Sequence, residues 1–163
     1  MSAGRGGGGV DDGSIAVDQA ASDLLLPEVD ALLDRLPPGE SQAAFTALRR
    51  DIESRAVAAE RQGALEQVLR LGIETGRFER VHGRAADTLA RALYGRTPEG
   101  RAAAEQADAV SAGLAAFTGS VLHAVRVSAD GPGGYRFAVE TDRGQALVRM
   151  DRAGVRVDSV ETG

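Results

Sequence analysis

With 163 residues, no cysteine and a formal net charge of −5, the chain excludes thiolate catalysis, thiolate metal sites, Fe–S clusters and disulfide staples. The length suits one domain, or a small helical unit joined to a small sheet, and it is large enough to bury a core without a structural metal. All 19 basic residues are arginine, and the acidic total argues against a general nucleic-acid coat, which needs a concentrated basic face.

Residues 1–21 are Gly-rich and then acidic at Asp11, Asp12 and Asp18. They carry too little apolar surface to offset ordering entropy, so the composition predicts a disordered tail. The segment MSAGRGGGGVDDGS has no apolar signal-peptide core, and no stretch approaches the ~20 apolar residues of a bilayer span. A cytoplasmic protein with no membrane association is therefore expected.

A helical region is predicted over 22–96. Asp23 is placed to cap a first helix whose Leu25, Leu26, Val29, Leu32, Leu33 and Leu36 share one face, and Pro37-Pro38 ends it. That stripe is either core or a face for a partner helix; as a partner face it makes Leu25, Val29, Leu32 and Leu36 the contact residues. Ser41 is a cap for the next helix, with Phe45, Leu48 and Ile52 on one side. Gly63 weakens the centre by ~1 kcal/mol relative to Ala, and the pattern resumes at Leu65, Val68, Leu69 and Ile73. One long helix, or two kinked at Gly63, is expected, ending near Gly72 or Gly76. A third helix fits Val81, Ala85, Leu89 and Leu93, closed by Gly95.

The segment 97–163 opens with the clearest helix start, Thr97-Pro98-Glu99, which combines a cap acceptor, a proline suited to the first turn and an acid at the positive end of the dipole. Ala103, Ala107, Val110, Leu114 and Phe117 form its inner face, and Gly119 stops it. There the apolar period changes from helical to alternating. Val121, His123, Val125 and Val127 share one face of a first strand, and Tyr135, Phe137, Val139 and Thr141 one face of a second. Ala146, Val148 and Met150 belong to a third strand, Val155 and Val157 to a fourth. Short Gly-containing turns between them force antiparallel neighbours. The expected fold is thus α+β: about four N-terminal helices, then a four-stranded antiparallel meander with one face covered by helix. Arg126, Arg136, Glu140, Arg149, Arg156 and Asp158 fall on the other face.

Chemistry is sparse. Glu79 and His82 match the Glu-x-x-His spacing that aims a carboxylate and an imidazole at one metal, with Glu53, Glu60, Glu66 or Glu74 to complete a bundle site. The competing reading of Glu79 and His82 is a solvated polar face. His123, on the apolar side of its strand, reads as a core histidine. Ser120, Ser128 and Ser159 have no nucleophile-elbow context, and Gly131–Gly134 joins two strands instead of leading into a helix that could cradle phosphate. No catalytic residue and no cofactor is expected.

Tyr94-Gly-Arg-Thr-Pro-Glu-Gly-Arg101 is similar to the T-P-x-G-R step into the helix after the wing of some winged-helix regulators. The resemblance spans eight residues and implies a DNA-associated regulator. The leading expectation from the residues is a non-enzymatic adaptor, regulatory or assembly protein that self-associates or binds a protein partner. The alternative is a small-molecule or metal-binding protein with a pocket between helix and sheet.

Overall fold

The computed structural model describes residues 13–163. It is α+β, with six helices among the described residues, a four-stranded antiparallel sheet and a two-stranded one. Two compact units divide the chain, one running to Pro98 and the other spanning Glu99–Gly163. No helix of the described residues is long and apolar enough to cross a membrane.

In the first unit, the expected tail over 1–12 lies outside the described residues, and beyond them the expectation is corrected. Ile15–Ala16 forms strand β1, with Ile15 and Val17 buried in the core. Its partner is β2 (Ala56–Val57), paired Ile15 to Val57 and Ala16 to Ala56. Helix α1 (Gln19–Leu33) is capped by Asp18, whose carboxylate accepts the Ala21 amide at 2.8 Å. Asp23 lies a turn inside that helix, where Gln19 donates to it. Asp18 takes the cap because its backbone is extended, as a cap requires.

Helix α2 (Glu40–Glu53) buries Phe45, Leu48 and Ile52 as its spacing predicts. The chain then breaks over 54–61 and not at Gly63. Arg55 turns through a positive φ of 68°, its carbonyl accepts the Val17 amide at 2.9 Å, and β2 follows. Pairing with a strand about forty residues away overrides the local helical pattern. Gly63 instead sits in the first turn of α3 (Gln62–Glu74), where a break is cheap.

The expected third helix is two, α4 (Arg77–His82) and α5 (Arg84–Tyr94), separated at Gly83. This split and the break after α2 account for the difference between six helices and about four. Val81 is exposed, whereas Phe78 is fully buried, the largest such side chain in the structure. Its ring lies against α3 at Gly72, where a Cβ would come within 2.2 Å of it. Only glycine permits so close an approach. Leu25, Val29, Leu48, Ile52, Leu65 and Leu69 complete the centre of this core, fully shielded from water.

The second unit takes up all of α6 (Pro98–Leu114) but its first residue, and the helix is extended by a 3₁₀ turn at Ala115–Phe117. The meander follows as β3 (Leu122–Ala129), β4 (Tyr135–Thr141), β5 (Gly144–Asp151) and β6 (Gly154–Thr162), neighbours in that order. Pairing places Val127, Phe137, Val148 and Val157 in one cross-strand row, and Tyr135, Met150 and Val155 in the next. Two irregularities interrupt the alternation, at Leu122/Ala124 and opposite Leu147/Val148.

Candidate interaction surface

A meander with one apolar face needs a cover. Here α6 supplies half of one. Gln106, Val110, Gly113, Leu114 and Phe117 are its half-buried positions, spaced as one helix face. Gly113 meets Val157, since a Cβ there would lie 3.0 Å from the valine Cγ2. The Gln106 side-chain oxygen accepts the Val155 amide at 3.2 Å. Both contacts are on β6. Under this cover Ala146 and Val148 are buried, at 2% and 6% exposure.

Elsewhere on the same face β3 and the Tyr135/Met150 end are exposed, while Phe137 and Val139 of β4 are half-buried. Val125 and Val127 on β3 are 54% and 58% exposed, Tyr135 on β4 is 49% and Met150 on β5 is 44%. The first strand's valines, expected on the covered face, are therefore largely exposed. This strip carries no charged side chain. Apolar residues gathered in this way mark contact surfaces, whereas scattered ones need no explanation.

The reverse face is polar and paired within the chain. Arg126 meets Glu140 at 2.8 Å, Arg136 meets Asp130 at 3.0 Å, and Arg149 lies between Asp130 at 3.1 Å and Asp158 at 3.0 Å. Arg156 reaches Asp151 at 3.0 Å. Such exposed pairs contribute about 0.2–1 kcal/mol each. They matter more for leaving this face electrically settled.

His123 is not a core histidine. The irregularity at Leu122/Ala124 makes it the extra residue, so Leu122 instead pairs with Thr141. His123 is exposed and lines a shallow concavity at the end of the sheet with Glu140, Gln145 and Glu161. A bulge re-aims a side chain in just this manner. Glu140 and Glu161 are already engaged there, by Arg126 and Gln145 respectively.

In the first unit the Glu-x-x-His pair is drawn apart in its partners. Glu79 is exposed, while His82 bonds Glu28 of α1, Nε2 to Oε1 at 2.9 Å. Arg77 donates to the other Glu28 oxygen at 2.5 Å. Among the described residues there is no group of three or more His, Asp or Glu placed to hold a metal ion. Arg77 and Glu28 were missed in the sequence because they stand 49 positions apart. No local spacing signals such a triad; an acid following Pro27 inside a Leu-rich helix was the available hint.

Burial on its own raises the Glu28 carboxyl. The hydrogen bonds from Arg77 and His82, with their charges, outweigh that and hold it below its ordinary value of 4.5. A carboxyl depressed in the folded state stabilises above its unfolded pKa and loses that contribution as pH falls through and below ~4.5. Glu28→Gln is therefore expected to flatten the acid limb of stability in the helical unit. Urea midpoints between about pH 5.5 and pH 3.5 measure this. An acid slope identical to that of the unsubstituted chain would refute it.

The stripe of α1 is turned inward. Leu25 and Val29 are fully buried, and Leu32 and Leu36 pack partly buried against the same core. Leu25 and Val29 are therefore core residues, and Leu32 and Leu36 are half-buried at its margin. The Tyr94–Arg101 phrase runs from the end of α5 into α6, and a helix precedes it where a wing would supply two strands. No protein-family model, curated protein or solved structure matches this chain.

Proposed function

We propose that this chain is a non-enzymatic interaction protein that associates with itself through the exposed part of its sheet's apolar face. One observation carries the reading: uncharged Val125, Val127, Tyr135 and Met150 are left exposed on a face whose contacts with α6 are on β6. Exposing apolar area costs roughly 25 cal/mol per Å² relative to burying it, so a contact that covers the strip is favoured. The charges of the sheet are on the reverse face and already paired, which leaves the strip without an electrostatic reason to stay in water.

Native mass spectrometry of protein purified without added metal or chelator tests this. A dimer with no additional mass is the expected result. A stoichiometric bound metal or metabolite would replace the reading with a ligand-binding one, to be traced first to His82 and His123. A chain that stays monomeric across the accessible concentration range would remove self-association.

A further inference from the structure

We infer that α4 is a latch: it opens as a unit about Gly76 and Gly83, and Glu28 of α1 is the group that holds it shut. The latch lies wholly within the helical unit and does not depend on self-association.

Both ends of α4 are glycines in conformations that side chains resist, Gly76 at a φ of 63° and Gly83 at 86°. Hinges are the few positions that absorb backbone rotation, and glycine absorbs it at the least steric cost. The six residues between them are too short a segment to offset the cost of nucleating a helix. What keeps α4 in place must therefore come from its neighbours.

Those ties are few. Glu79, Arg80 and Val81 are exposed. Phe78 is seated in the core against Gly72, and that contact is apolar and indifferent to pH. The remaining tie is Glu28, whose two oxygens are shared between the ends of the helix, Arg77 at 2.5 Å and His82 at 2.9 Å. One carboxylate thus spans the length of α4.

The surroundings leave Glu28 as the tie that acid can undo. Arg77 and His82 face it from α4, and Arg35 of its own helix shares a cavity of about 80 Å³ with it. Helix α3 contributes Val68, Leu71 and Gly72 to that cavity, none of them charged. Helix α5 places Ala85, Ala86 and Leu89 beside His82, with Asp23 of α1 in the same groove. Burial raises the Glu28 carboxyl, but Arg77 and His82 outweigh it and hold the group below its ordinary value of 4.5. The closed state is favoured above that value, and the preference is lost as pH falls through and below it. In the open state the carboxyl titrates at the ordinary value, so at about pH 3.5 opening rises by up to about 10-fold. Opening withdraws the Phe78 ring from Gly72 and removes Arg77 from the wall of the cavity. The latch therefore gates the apolar space between α1 and α3.

Native-state hydrogen exchange of the full chain tests this, read at the Arg80 and Gly83 amides, which bond the Gly76 and Glu79 carbonyls. From about pH 6 to about pH 3.5, with intrinsic rates corrected, their protection should fall about 3- to 10-fold more than that of α3 amides. Glu28→Gln should lower it about 10-fold already at pH ~6, because a neutral acceptor binds a cation about half as strongly, and should abolish the further fall. Glu79→Gln, at an exposed carboxylate of the same helix, should behave as the unsubstituted chain. Far-UV circular dichroism checks that each variant folds, and the pH series of the unsubstituted chain needs no variant. If the α4 amides lose protection only in step with those of α3 and α5, no separate opening exists and the latch is refuted. A fall that persists in Glu28→Gln overturns it equally, since another group would then be responsible.

Discussion

Phe78→Ala should destabilise the helical unit by about 3–5 kcal/mol, the range for emptying a fully buried phenylalanine site. The whole of an ordinary domain's stability is ~5–15 kcal/mol, so this is a large share. Two features make collapse into the vacancy difficult. Phe78 belongs to a six-residue helix, α4, that is bounded by Gly76 and Gly83, both at positive φ. Its ring also lies on the α3 backbone at Gly72, and a backbone cannot rotate into a void as a side chain can. Loss of the ring would leave α4 held on α1 chiefly by Arg77 and His82 through Glu28. Hydrogen exchange of the α3, α4 and α5 amides, alongside urea unfolding, would report the change. A loss below ~1 kcal/mol would mean that the ring contributes no more than an exposed side chain does.

Gly144→Ala should be nearly as damaging to the sheet, at roughly 2–5 kcal/mol from backbone strain and overpacking together. Gly144 opens β5 with a φ of 139°, and a Cβ there would lie 1.9 Å from the carbonyl oxygen of Glu161. That oxygen belongs to β6, in the ladder that pairs Gly144 with Thr162 and Gln145 with Glu161. Relieving the clash means pulling the two strands apart at this end. The measurable sign is faster exchange of the amides of 144–147 and 159–162, with the hairpin turn at Arg152-Ala153 little changed. Protection at native level in both segments would contradict the geometry.

The parts of the fold that the sequence disclosed are those fixed by near neighbours. All four meander strands and their order follow from a period of two cut by short turns, because a short turn leaves no choice of partner. The start of α6 follows from Thr97-Pro98-Glu99, three residues that act on the same helix end. What stayed hidden depends on distant pairing. Ala56-Val57 sits in a stretch with a helical pattern and becomes a strand only because Ile15-Ala16 lies beside it. His123 fits the apolar alternation of β3 until a bulge shifts the count by one.

The candidate surface was half visible for a related reason. Alternation identified its valines, but how much of the face α6 would cover depends on which strands that helix lies over. The triad of Glu28, Arg77 and His82 was out of reach, since Glu79 had the spacing and Glu28 had the position. Glu-x-x-His describes neighbours on a helix; it says nothing of the helix across from them.

The small pairing of β1 with β2 also governs the order in which the first unit can assemble. Ile15 and Val57 meet only after the chain between them, with α1 and α2, has been brought round. Closing a loop of about forty residues carries an entropy cost that the short meander hairpins do not face. The meander's contacts are local and can zip from turn to turn, as low-contact-order segments do. The clasp is thus a late event in its own unit, closing after the two helices it encloses have met.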